Sequence, residues 1–191
     1  MNLPIMLTLA RIFLVPLLMV FLISFSRVNA LIAAGIFIAA ALTDWLDGLI
    51  ARRRNQVTTL GQLLDPVADK LLVAAALVSL VQIDKLPAWI VVILIGREFA
   101  VTGLRGIAAS VGIIVPASEL AKYKTFTQYV AITLLIIEKG MPPGALPFHV
   151  ISYGMLWVAL TLTVISGVHY FVRFFRKADF HALVKESDRW S

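Results

Sequence analysis

Six apolar stretches succeed one another along the chain, at about residues 6–26, 30–51, 60–82, 87–107, 121–138 and 147–172. A helix that crosses a bilayer needs about 20 predominantly apolar residues. The first and last stretches meet that length, the first interrupted only by Arg11. The middle four fall short, because their unbroken apolar runs are only Ala30–Thr43, Leu71–Ile83, Leu86–Gly96 and Thr125–Ile137. Each must carry charged residues into the bilayer to cross it. The pattern predicts an all-α integral membrane protein, a bundle of six transmembrane helices.

The interruptions are not scattered. With the N-terminus inside, Asp44 and Asp47 close the second span, Asp65 and Asp69 open the third, Arg97, Glu98 and Arg105 close the fourth, and Lys122 and Lys124 open the fifth. Every one of those ends faces the same side. The basic link Arg52–Arg53–Arg54 and the tail residues Arg173, Arg176, Lys177, Lys185 and Arg189 also fall there. The outer links hold only Arg27, Lys85 and Lys139, so the positive-inside rule makes the charged side cytoplasmic. Charges within spans are costly and normally face a cavity. A polar chamber in the inner half of the bilayer, open to the cytoplasm, is the expected consequence.

The acidic wall of that chamber has a regular spacing. Asp44 and Asp47 are three residues apart and Asp65 and Asp69 four apart, so each pair shares one helix face. The short polar link Arg52–Thr59 folds the two helices into an antiparallel hairpin. Counted from Gln56, Asp47 and Asp65 are each nine residues away, and Asp44 and Asp69 twelve and thirteen. Four carboxylates at one level repel strongly unless a cation joins them. Clustered carboxylates suit a hard divalent ion, Mg²⁺, Mn²⁺ or Ca²⁺. Gly48, Ala51, Gly61 and Ala68 leave room nearby for a ligand to approach the backbone. The plainer account, in which the acids pair with Arg52, Arg53, Arg54 and Lys70, needs no such register.

Composition narrows the class. Of 191 residues 60% are hydrophobic, and the mean hydropathy is +0.92, far too apolar for a soluble domain of this size. The absence of cysteine excludes disulfides, zinc–thiolate sites and thiol catalysis. The net charge of +6 suits an anionic leaflet or an anionic substrate here, and nucleic acid is not expected. Met1–Pro4 has no basic start, and the first apolar stretch is long enough to remain as an anchor. One membrane domain over 1–175, followed by a cytoplasmic tail over 176–191, is the simplest division. A basic wall of Arg105, Lys122 and Lys124, with Arg97 beside them, faces the carboxylates, and the two walls together suit a substrate bearing phosphates at membrane depth.

Asp44-x-x-Asp47–Gly48-x-x-Ala51–Arg52, then eight residues, then Gly61-x-x-x-Asp65-x-x-x-Asp69 resembles the complete signature of the CDP-alcohol phosphatidyltransferase family. Leu3–Pro4, Leu7–Thr8, Arg11, Gly96–Arg97–Glu98 and Lys122-x-Lys124–Thr125-x-x-Gln128 are similar to its bacterial members that use glycerol 3-phosphate. The resemblance implies transfer of a phosphatidyl group from CDP-diacylglycerol to a small alcohol, with release of CMP. It implies that Asp44, Asp47, Asp65 and Asp69 hold two Mg²⁺ or Mn²⁺ ions and that Asp69 is also the general base. Thr8, Gly48, Ala51, Arg52, Thr58 and Gly61 would bind CDP-diacylglycerol, and Arg105, Lys122 and Lys124 the phosphate of glycerol 3-phosphate. Ile5 departs from the asparagine that many relatives carry there, which leaves Thr8 as the candidate at that end. A homodimer in a bacterial plasma membrane, multi-pass, with a cytoplasmic active site, is the implied setting.

Three kinds of rival remain. Family members with other acceptors use phosphatidylglycerol, inositol phosphate or serine, and serine needs no basic wall. A divalent-cation transporter should have acids along the whole depth of several helices, whereas these stop in the inner half. A structural subunit leaves the carboxylate register unexplained. For the basic wall, the structural reading is an internal Arg97–Glu98 ion pair, with Lys122 and Lys124 reaching to headgroups.

Overall fold

A computed structural model of the chain describes residues 3–54, 59–110, 112, 119–142 and 146–187, without the side chains of 3–5, 7, 44–54, 59–63, 65, 119, 146 and 178–187. All regular structure among the described residues is helical, in the order α1 (Leu3–Ile23), α2 (Arg27–Arg54), α3 (Thr59–Gln82), α4 (Ala88–Ser110), α5 (Glu119–Gly140) and α6 (Leu146–Ser187). Each helix covers one of the apolar stretches to within about three residues, in order.

Local chemistry sets several of the ends. Ser26 caps α2: its Oγ accepts the Asn29 N–H at 3.4 Å and its carbonyl accepts the Ala30 N–H at 3.2 Å. At the end of α3 the Lys85 N–H bonds the Leu80 carbonyl at 2.9 Å, and the Asp84 N–H bonds that of Val81 at 3.0 Å. This is a Schellman turn, with Asp84 at φ 57° in the position that glycine usually takes. Aspartate is among the few residues that tolerate it. The end of α1 is tied from a distance: Lys139 at the end of α5 donates to the carbonyl of Leu22 and, at 2.7 Å, to that of Ser24 just beyond the helix. Pro16 and Pro66 each withdraw one N–H from α1 and α3, and both are exposed.

The core runs along the bundle. Leu18 and Leu22 of α1, Ala33, Phe37 and Ala40 of α2, and Leu72, Ala76, Leu77 and Leu80 of α3 are buried together. Leu94 of α4, Ile132, Leu135 and Ile136 of α5, and Leu156 and Ala159 of α6 complete it. Their spacing of three and four residues gives each helix one inward stripe. The alanines let the helix axes come close. α1 packs on α2 and α3, α5 on α2 and α6, and α4 on α6 and α3.

The outside is unusual. Phe13, Val20, Val92 and Phe126 are 76%, 68%, 69% and 69% exposed, whereas Thr8, Arg11, Lys124, Gln128 and Glu138 are buried. Burial of charge beneath an apolar exterior reverses the usual distribution. Among the described residues, Pro147–Lys177 in α6 is the segment whose length and apolarity alone suffice to cross a bilayer; Thr8–Ile23 and Arg27–Thr43 are shorter apolar helices. α6 does not stop at the expected end of the last span. It runs on to Ser187 through most of the segment read as tail, 42 residues in all, a length of about 63 Å at helical rise.

One end of the bundle carries a closed polar knot. Glu138, buried at the end of α5, accepts from Lys85 at 2.9 Å and from Ser152, and contacts His149 Nδ1 at 3.0 Å. The Tyr153 hydroxyl donates to the Lys85 carbonyl at 2.7 Å. The α3–α4 turn, the end of α5 and the start of α6 are tied there.

Candidate active site

The carboxylate motif spans the hairpin of α2 and α3, two helices in contact and joined by residues 55–58. Asp44 and Asp69 each stand ten residues from the helix ends at Arg54 and Thr59, and Asp47 and Asp65 stand seven and six from them. The side chains of Asp44, Asp47, Gly48, Ala51, Arg52, Gly61 and Asp65 lie outside the described residues, and Thr58 lies outside them entirely. Among the described residues no three acids or histidines gather as a metal site, and Asp69 is the one member of the four with a described side chain. An all-carboxylate donor set of this kind fits a hard divalent cation such as Mg²⁺ or Mn²⁺.

Asp69 opens onto a cleft made by three helices. Asp69, Lys70, Val73 and Ala74 come from α3, Ile95, Glu98 and Phe99 from α4, and Lys124, Thr125, Gln128 and Tyr129 from α5. The cleft encloses about 430 Å³, counting the part open to solvent. Ala68 and Leu72, on either side of Asp69 in sequence, are wholly buried and anchor the turn that carries it. The Tyr129 hydroxyl donates to Asp69 Oδ1.

Opposite Asp69 stands a network of charge. Lys124 is 2% exposed and forms an ion pair with Glu98. Glu98 also pairs with Arg97 at 3.3 Å. Arg97 reaches α6, where it donates to Ser166 Oγ at 3.0 Å, and Ser166 donates to the Thr163 carbonyl at 3.1 Å. A side chain at Gly167 would meet Arg97 Cγ at 3.1 Å, so the bare backbone lets the arginine lie flat on α6. The charges of Asp69, Arg97 and Lys70 all act on Lys124, and that of Arg105 acts on Arg97.

The residues singled out from sequence thus take different places. Asp69 and Lys124 share the cleft. Arg105 is exposed on α4, its guanidinium 5.4 Å from the centre of the Tyr170 ring on α6. Lys122 is exposed on α5, two residues from Lys124. Neither lines the cleft. Thr8 is buried on α1, three residues before the buried Arg11. The Arg97–Glu98 pair is present, and it is shared with Lys124. Tyr129, Ser166 and Gly167 escaped notice in the sequence. Tyr129 alone carried a signal, since it follows Gln128 and lies five residues beyond Lys124.

The profile of the CDP-alcohol phosphatidyltransferase family matches residues 1–165. The chain belongs to that family, a membrane-associated class of biosynthetic enzymes. It is 45% identical over 186 residues to the CDP-diacylglycerol–glycerol-3-phosphate 3-phosphatidyltransferase of Bacillus subtilis, covering 89% of this chain and 93% of that protein. A protein of the same name from Rickettsia felis is 41% identical over 172 residues, with 89% and 93% covered. Another from Pseudomonas fluorescens is 37% identical over 176 residues, with 89% and 88% covered.

Proposed function

We propose that this chain transfers the phosphatidyl group of CDP-diacylglycerol to sn-glycerol 3-phosphate, giving phosphatidylglycerophosphate and CMP. The observation that carries the proposal is the cleft in which Asp69 of the carboxylate motif faces the buried cation Lys124. The relatives' names supply the two substrates.

Asp44, Asp47, Asp65 and Asp69 would hold two Mg²⁺ or Mn²⁺ ions. Ions held there would neutralise the diphosphate and stabilise charge on the departing CMP. Thr8, Gly48, Ala51, Arg52, Thr58 and Gly61 take the CDP portion, the small residues giving it room. Asp69 accepts the proton of the acceptor hydroxyl as that oxygen bonds to the phosphatidyl phosphorus and the bond to CMP breaks. Lys124 offers its ammonium to the acceptor phosphate in competition with Glu98, and Arg105 and Lys122 supply further positive charge on the same side.

The six helices are read as six spans with the N-terminus and the cleft at the cytoplasmic face. The exposed apolar side chains support this, because they would be unfavourable in water and are suited to lipid. So does the placing of polar groups inside, where each needs a protein partner or a filled cavity. The diacylglycerol chains then stay in the bilayer while the headgroup enters the cleft. A homodimer, each copy with its own cleft, completes the reading. Incubating purified protein with CDP-diacylglycerol, glycerol 3-phosphate and Mg²⁺ tests the reaction: phosphatidylglycerophosphate and CMP in equal amounts support it, and no lipid product rejects it.

A further inference from the structure

We infer that Tyr129 is the positioning residue of the catalytic base. The inference rests on the reading of Asp69 as that base, and it concerns a residue on a different helix from the carboxylate motif.

The ring of Tyr129 is held first. Its centroid lies 5.5 Å from that of Phe37 on α2, tilted by 33°, and Phe37 is wholly buried. Apolar packing between α5 and α2 therefore sets where the hydroxyl can be, independently of its hydrogen bond. From that position the hydroxyl donates to Asp69 Oδ1 on α3. A carboxylate's terminal torsion is broad and roughly two-fold, so an aspartate alone does not hold its oxygens in fixed directions. A donor that claims Oδ1 from a clamped ring removes that freedom and directs the other oxygen. Lys124, the buried cation lining the same cleft, has its ammonium paired with Glu98.

The arrangement joins three helices through three side chains: Phe37 on α2 holds the ring, Tyr129 on α5 carries it, and Asp69 on α3 presents the carboxylate. A base must meet its proton within hydrogen-bonding reach, and misplacement by about 1 Å costs on the order of a hundredfold in rate. Phenylalanine at 129 keeps the contact with Phe37 and loses only the donor. Leucine loses both.

The test compares wild type, Tyr129→Phe and Tyr129→Leu as purified full-length proteins in detergent. Turnover is measured with CDP-diacylglycerol, glycerol 3-phosphate and Mg²⁺, and thermal unfolding without divalent cation. Tyr129→Phe should lower kcat by about ten- to a hundredfold, leave KM for both substrates within about twofold, and unfold at the wild-type temperature. Tyr129→Leu should show the same fall in kcat and also unfold earlier. Unchanged kcat in Tyr129→Phe overturns the inference, as does early unfolding of Tyr129→Phe equal to that of Tyr129→Leu, which makes the hydroxyl structural. If wild type itself transfers nothing, the functional reading fails and this role falls with it. Active wild type beside an equally active Tyr129→Phe removes the positioning role alone.

Discussion

Glu98 on α4 and Lys124 on α5 form an ion pair at the cleft, and Arg97 reaches the same carboxylate oxygen, Oε1, at 3.3 Å. One acid therefore serves two cations, Lys124 buried and Arg97 partly exposed. Removing one member of a buried pair costs more than the pair itself contributes, because the survivor is left uncompensated. Glu98→Gln leaves two cations without their acid, whereas Lys124→Met leaves Glu98 still paired to Arg97. Thermal unfolding of the two variants should show Glu98→Gln as the more damaging, by about 1 kcal/mol in stability. Equal or reversed losses would mean that Glu98 does not carry the network.

The same pair makes a kinetic prediction. If the acceptor phosphate draws Lys124 away from Glu98, Lys124→Met should raise KM for glycerol 3-phosphate by about tenfold or more and leave KM for CDP-diacylglycerol nearly unchanged. Steady-state CMP release with each substrate varied in turn checks it. An effect confined to CDP-diacylglycerol would move Lys124 to the other substrate.

Arg105 stands outside the cleft lining and over Tyr170. Arg105→Ala should raise KM for the acceptor without lowering kcat, since a long-range cation strengthens binding in ground and transition states alike. Any loss of the stacking on Tyr170 contributes only about 0.5–1 kcal/mol to stability. Kinetics at varied salt provide the check, because attraction of this kind weakens as salt rises.

Asp69→Asn keeps the shape of the side chain and removes the base. Turnover should fall by about a hundredfold or more, while CDP-diacylglycerol with Mg²⁺ still raises the unfolding temperature. Substantial residual transfer would take the base role from Asp69.

Glu138, at the far end of the bundle, supplies the contrast. It is buried with Lys85, His149 and Ser152 around it. Glu138→Ala should destabilise the fold by about 3 kcal/mol and leave both KM values as in wild type. A selective change in either KM would place this knot in communication with the cleft.

From sequence, the helices were legible because each apolar stretch exceeds three turns and each break carries charge or a turn former. Asp84 and Ser26 then set ends that hydropathy alone blurs. The extension of α6 to Ser187 was not legible, since a charged helix continuing beyond an apolar one gives no change of period. The carboxylate register was plain because helical spacing is local. Contacts such as Arg97 with Ser166, 69 residues apart, or Tyr129 with Asp69, 60 apart, depend on which helices become neighbours, and no local pattern encodes that. The two readings of the Arg97–Glu98 neighbourhood, ion pair or anion grip, looked exclusive in sequence. In the fold, Arg97 and Lys124 share the one Glu98 carboxylate at the cleft.

CMP release identifies the acceptor. Purified protein in detergent receives CDP-diacylglycerol and Mg²⁺, with glycerol 3-phosphate, phosphatidylglycerol, inositol phosphate or serine in separate tubes. Release is expected with glycerol 3-phosphate alone, abolished by chelation and restored by Mg²⁺ or Mn²⁺. Release with another alcohol and none with glycerol 3-phosphate would contradict it.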